Sequence, residues 1–256
     1  MDIRFALQGR YASVLDLSAL CITNSAVSIH GSALHAGKGI TEDEFINKHT
    51  DAELAGQFKS YLDRNLPNPG VNHLFILDME PSYVKRDDTN GEIHVQFSPS
   101  DLGNYQEELR DQLIKAYVRR IKVARNVLKR RWPRAGLEIG LYGVVVPMGK
   151  GQDNDAFQKR MDAYRRGSKL GMYDFLDYLV PVLYNGFGPS DVSLPGELDK
   201  LHGWIEKATR QALENSQQLT RRNGDRIPLA PILTFWVNNG KSAHHKKRIL
   251  PQTMNL

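Results

Sequence analysis

Short apolar runs alternate along this chain with long segments of helical periodicity. That alternation confines the fold to a parallel-stranded α/β arrangement, because each strand needs a helical crossover before the next parallel strand. Strands are expected over 26–29, 74–77, 137–146, 178–183 and 230–237, with an earlier one inside 3–15. Helices are expected over 51–64, 101–131, 155–169 and 196–218. The run Ser98-Pro99-Ser100-Asp101 offers a capping side chain for the long helix, and Pro133 would end it. A length of 256 residues suits one (β/α) barrel. The expectation is a single TIM-type barrel domain over 1–256, with seven or eight strands and an incomplete or atypical closure at the termini.

Composition narrows the class further. Hydrophobic residues make up 41% and charged residues 25%, enough apolar material for a substantial core and too much for a disordered chain. No apolar run approaches the ~18 residues that would span a bilayer, so no membrane association is expected. Cys21 is the single cysteine, which excludes an intrachain disulfide framework. Arg4, Arg10, Asp2 and Asp16 interrupt the first twenty residues, unlike a secretion signal. Localisation is therefore unassigned, with the cytoplasm as the default.

The familiar cofactor signatures are missing. There is no Walker loop, no CxxC and no HExxH, and Gly186-Phe187-Gly188 lacks the third glycine of a dinucleotide turn. No cofactor and no metal are expected. The cluster His244-His245-Lys246-Lys247-Arg248 has no neighbouring Cys, Asp or Glu to complete a ligand set, and reads as a solvated loop.

The net charge of +5 is unevenly spread. Between Arg110 and Arg134 there are ten basic residues and one acid, Asp111. Such a stretch can be a footprint for a polyanion. It can equally be the wet face of an amphipathic helix, since Leu113, Ile114, Tyr117, Val118 and Ile121 recur at helical spacing. The helix-face reading is preferred, and nucleic acid ranks behind a polysaccharide as partner.

The most informative segment is Leu74-Phe75-Ile76-Leu77-Asp78-Met79-Glu80-Pro81. Side chains alternate along a strand, so Asp78 and Glu80 project from one face and Met79 from the other. Two neighbouring carboxyls cannot both ionise freely, so one keeps its proton towards neutral pH. A protonated carboxylic acid is what glycoside cleavage requires. A strand-end acid pair that caps a helix or binds a lysine is the plainer alternative. Other strand ends run into Tyr142-Gly143, Tyr184-Asn185-Gly186 and Trp236-Val237-Asn238, and parallel α/β folds build their sites at such ends. The connection from Ser82 to Pro99 carries Tyr83, Lys85, Arg86 and His94, and is long enough to be either a functional loop or a disordered one.

These ordered motifs resemble the (β/α)-barrel glycosidases, with the hyaluronidase family closest. Asp78-Met79-Glu80 is followed by a long loop, a long helix, Leu141-Tyr142-Gly143 through Pro147, Pro181-Val182-Leu183-Tyr184 and Phe235-Trp236. The likeness covers roughly 27–240, and 39–66 is similar to the family's helix before the catalytic strand. Met79 stands where the family carries Trp, and the family's disulfides are absent. The resemblance implies a hydrolase cleaving an N-acetylhexosamine-containing polysaccharide by a substrate-assisted, retaining mechanism. It implies Glu80 as general acid, Asp78 as the group that orients the acetamide, and Tyr184 as a further hydrogen-bonding catalytic residue. Tyr142, Trp236, Tyr83 and Asn185 would then contact substrate, Trp236 by stacking under a sugar ring. A lysozyme-type muramidase barrel and a non-catalytic barrel that binds a polyanion or glycan are the alternatives.

Overall fold

In a computed structural model the described residues are 25–66, 73–89, 91–133, 136–148, 153–183 and 197–230, with the pairs 232–233, 236–237 and 247–248. The strand expected inside 3–15 lies outside them. The centre of the fold is a parallel four-stranded sheet of β1 (Ser25–His30), β2 (His73–Asp78), β5 (Glu138–Tyr142) and β6 (Tyr178–Val180). Each strand pairs with the sheet strand that precedes it in the chain, in the order β1-β2-β5-β6. The same progression continues one step further. Leu179 forms a parallel bridge with Leu229, and β7 (Val182–Leu183) pairs in parallel with β8 (Ile232–Leu233).

Between β2 and the long helix the chain makes an antiparallel hairpin, β3 (Ser82–Asp87) and β4 (Gly91–Gln96). This corrects the reading of Ser82–Pro99 as an open loop. Gly91, which opens β4, takes a positive φ of 76°, the conformation a tight hairpin connection demands. The outer half of the hairpin is solvated, with Val84, Lys85, Arg86 and His94 all exposed.

The helices are α1 (Glu42–Asn47), α2 (Asp51–Asn65), α3 (Glu107–Arg131), α4 (Asn154–Leu170) and α5 (Glu197–Ser216). Two of them start on reciprocal capping boxes, Thr41 with Glu44 and Thr50 with Glu53. The long helix begins later than the sequence suggests. Residues Pro99–Asn104 form a separate 3-10 turn, in which the Ser98 hydroxyl is taken up by Asp101 and Ser100, and neither acts as a cap for α3. Pro181 breaks the run expected over 178–183 into β6 and β7, since proline has no N–H to give to a strand ladder. The strand expected over 137–146 stops at Tyr142, where Gly143 takes a φ of 78° and the chain turns away.

The two faces of the sheet are distinct. Ile29, Phe75, Leu77, Met79, Ile139 and Leu141 join the large core shared with α1 to α4. The alternate residues, Ala26, Leu74, Ile76 and Val180, form a second apolar cluster with Tyr142, Tyr178 and Ala230. Gly140 lies in this second layer, and an added Cβ would come 2.5 Å from Val180 Cγ2. Opposite faces of the strands thus bury separate apolar sets, the pattern of a parallel sheet covered on both sides.

Four of the ten basic residues in the stretch, Arg119, Arg120, Arg125 and Arg131, are engaged within the fold. Arg120 is only 1% exposed; it donates to the carbonyls of Leu34, His35 and Ala116 and lies 3.7 Å from the Phe45 ring centre. Arg119 pairs with Asp51, Arg125 with Asp177 and Arg131 with Asp63. Those contacts support the helix-face reading of the charge run. Among the described residues no helix is long and apolar enough to cross a membrane.

Candidate active site

The second face of the sheet ends in polar groups at the C-terminal edge. Asp78 is the last residue of β2 and Glu80 follows two residues later, both half-buried. Met79 between them is 1% exposed and sits in the helix-side core. The alternation expected from the sequence is therefore present. It also gives a physical reason for Met at that position, which needs only an apolar side chain that fills the helix layer.

The segment beyond Glu80 is held firmly. Ser82 accepts from the backbone of Gly39 and Ile40 and donates to Gly37, which ties it to the loop after β1. Phe97 donates to the Pro81 carbonyl at 3.1 Å, closing the base of the hairpin. From α3, the buried Tyr117 hydroxyl reaches the carbonyls of Phe97 and Met79.

Electrostatics separate the two carboxyls. Burial pushes the Glu80 carboxyl up, and the negative charges of Asp78 and Asp101 add to it, bringing it to about 7. Burial also raises Asp78, while the neighbouring His30 opposes that rise. Neither carboxyl has a hydrogen-bond partner among the described residues. A half-buried acid without a protein partner costs stability, and such groups concentrate where a ligand will satisfy them.

Of the residues singled out from the sequence, the structure brings Asp78, Glu80 and Tyr142 to the same face and end of the sheet, with Tyr142 in the second apolar cluster. Tyr83 goes elsewhere. It packs partly buried against the helix-side core, and its hydroxyl shares Glu42 with that of Tyr105. Tyr184 and Asn185 lie outside the described residues. So does the side chain of Trp236, whose backbone belongs to β9 (Trp236–Val237), paired antiparallel with β10 (Lys247–Arg248).

Two residues beside the acids escape a sequence reading. Asp101 contributes to the field on Glu80 from the 3-10 turn. His30 occupies the last position of β1, directly in register with Asp78. Its position, an even step from Ala26 at the end of an apolar run, is the one signal that could have marked it. Two surface depressions, of about 180 Å³ beside Ile46 and Lys115 and about 350 Å³ beside Lys169 and Arg222, are lined by neither acid. Among the described residues no group of three or more His, Cys, Asp or Glu could hold a metal ion. No protein-family model and no curated protein matches the chain.

Proposed function

We propose that the protein is a glycoside hydrolase that cleaves an N-acetylhexosamine-containing polysaccharide, at a site built on the end of β2. The observation that carries this reading is the Glu80 carboxyl, held at about 7 beside Asp78 and free of protein hydrogen bonds among the described residues. A general acid works best when its pKa lies near the working pH. The fold reading that goes with it is a (β/α) barrel. Strands added in chain order, given the right-handed crossovers that parallel units almost always take, would put the helices on one side and leave the other face to line an interior.

In this mechanism protonated Glu80 delivers its proton to the bridging oxygen as the C1–O bond breaks. The acetamide oxygen of the same sugar bonds to C1, giving a cyclic oxazolinium ion, while Asp78 steadies the amide N–H. Water then attacks C1, its proton passes to the Glu80 carboxylate, and the ring reopens to the acetamide. Configuration at C1 is retained, and no protein carboxylate becomes bonded to sugar. Tyr142 stands at the next strand end, within the same face, as a substrate contact.

The test is turnover of hyaluronan, chondroitin, chitin oligomers and peptidoglycan by the purified chain and by Glu80→Gln. The expected result is hydrolysis of one of these by the wild type and loss of at least ~100-fold in the variant, the usual range for a general acid. A Glu80→Gln protein that turns over at the wild-type rate removes Glu80 from the mechanism.

A further inference from the structure

We infer that His30 is a substrate-binding residue of this site, donating from Nε2 to a sugar hydroxyl next to the group that Asp78 holds. The inference rests on the hydrolase reading and extends it to a residue on a different strand.

His30 and Asp78 are register partners on adjacent parallel strands. Side chains at such positions leave the same face, with Cβ atoms about 5 Å apart. The facing is checked one and four residues back. Ile29 and Leu77 both enter the helix-side core, and Ala26 and Leu74 both enter the second cluster. His30 therefore stands level with Asp78 on the face that carries the acids.

The orientation of the imidazole is set by its own backbone. Nδ1 accepts from the Ser32 N–H at 3.2 Å and lies 2.9 Å from Ser32 Oγ. A backbone N–H can only donate, so Nδ1 must be the acceptor and the neutral ring carries its proton on Nε2. No protein group takes that proton among the described residues, and the side chain is exposed. A fixed donor thus stands on the strand next to an unsatisfied acceptor, level with it in the register. Gly31 keeps the backbone close here, since an added Cβ would come 2.9 Å from the Asp78 carbonyl oxygen.

The experiment compares His30→Leu, which removes the donor, with His30→Gln, which restores an N–H at similar reach. Steady-state kinetics are read on the substrate that wild type turns over. Calorimetric binding of a β-1,4-linked N-acetylglucosamine tetramer and of a hyaluronan hexamer is read separately, on the same proteins. One uncharged hydrogen bond predicts a rise of about 10-fold in KM and in the tetramer or hexamer Kd for His30→Leu, with most of it recovered by His30→Gln. A change confined to kcat, or a Kd unchanged in His30→Leu, overturns the inference and leaves the role of Glu80 standing. If Glu80→Gln keeps full turnover while His30→Leu still weakens oligomer binding 10-fold, the role given to Glu80 falls and the His30 contact survives. Absence of oligomer binding by the wild type overturns the contact as well.

Discussion

The Tyr117 hydroxyl donates to the Phe97 carbonyl at 2.6 Å, and the same oxygen lies 3.3 Å from the carbonyl of Met79. One fully buried side chain on α3 therefore ties the end of the hairpin to the residue between the two acids. Tyr117→Phe should lose about 1–2 kcal/mol of stability, because the Phe97 carbonyl is left buried and unpaired. Urea titration of the two proteins measures this directly. Equal midpoints would mean the hydroxyl contributes nothing to that corner.

Glu80 links stability to pH with a definite sign. Its carboxyl ionises at the ordinary 4.5 when unfolded and at about 7 when folded. The folded state holds the proton longer, so stability present below 4.5 is progressively lost as pH rises towards 7. Glu80→Gln should therefore be the more stable protein at pH 8, by about 1 kcal/mol once solvent screening of a half-buried group is allowed for. The advantage should vanish in acid. Thermal unfolding of both proteins across this range tests it, and a variant less stable at pH 8 would contradict the burial cost.

Asp78 is one of the two charges that raise Glu80. In Asp78→Asn the Glu80 carboxyl should titrate at a lower pH, since a like charge has been removed. Carbon-13 NMR of the side-chain carboxyls reads the shift without relying on turnover. Movement in the alkaline direction would rule out coupling between the pair.

Arg120 is a buried cation that serves three carbonyls, and burial draws its guanidinium down to about 9. Arg120→Met should cost about 3 kcal/mol, because the Leu34 and His35 carbonyls lose a charged donor. Denaturant unfolding gives the value. A neutral outcome would show that methionine packing on Phe45 makes up for the lost hydrogen bonds.

Gly31 follows His30, and a Cβ there would sit 2.0 Å from the Ala36 carbonyl oxygen. Gly31→Ala should destabilise the protein by about 3 kcal/mol, as overpacking against backbone cannot be relieved by a rotamer change. A melting temperature equal to wild type would show that this turn can shift freely.

What could be read in the sequence was what has a short period. The strand ending in Asp78, the outward projection of both acids and the helical face of 110–134 all follow from steps of two or of 3.6 residues. The hairpin was legible in principle, through Asn90-Gly91 between alternating segments, but Lys85, Arg86 and His94 gave it the polarity of a loop. The true start of α3 at Glu107 could not be seen, because Ser98 and Asp101 satisfy one another rather than the helix. His30 was out of reach for a different reason. Its neighbour Asp78 is 48 positions away, and only the register of β1 on β2 brings them level.

Strict chain-order pairing has a consequence for how the molecule is made. Each new strand of the sheet meets an edge that has already been synthesised. The register partners are far apart in sequence, Ser25 with His73 and Leu74 with Glu138, so each pairing has to close a long loop before the sheet can grow. His30 and both acids stand on or just past the first two of the described sheet strands, so that corner can set while the C-terminal half is still being translated.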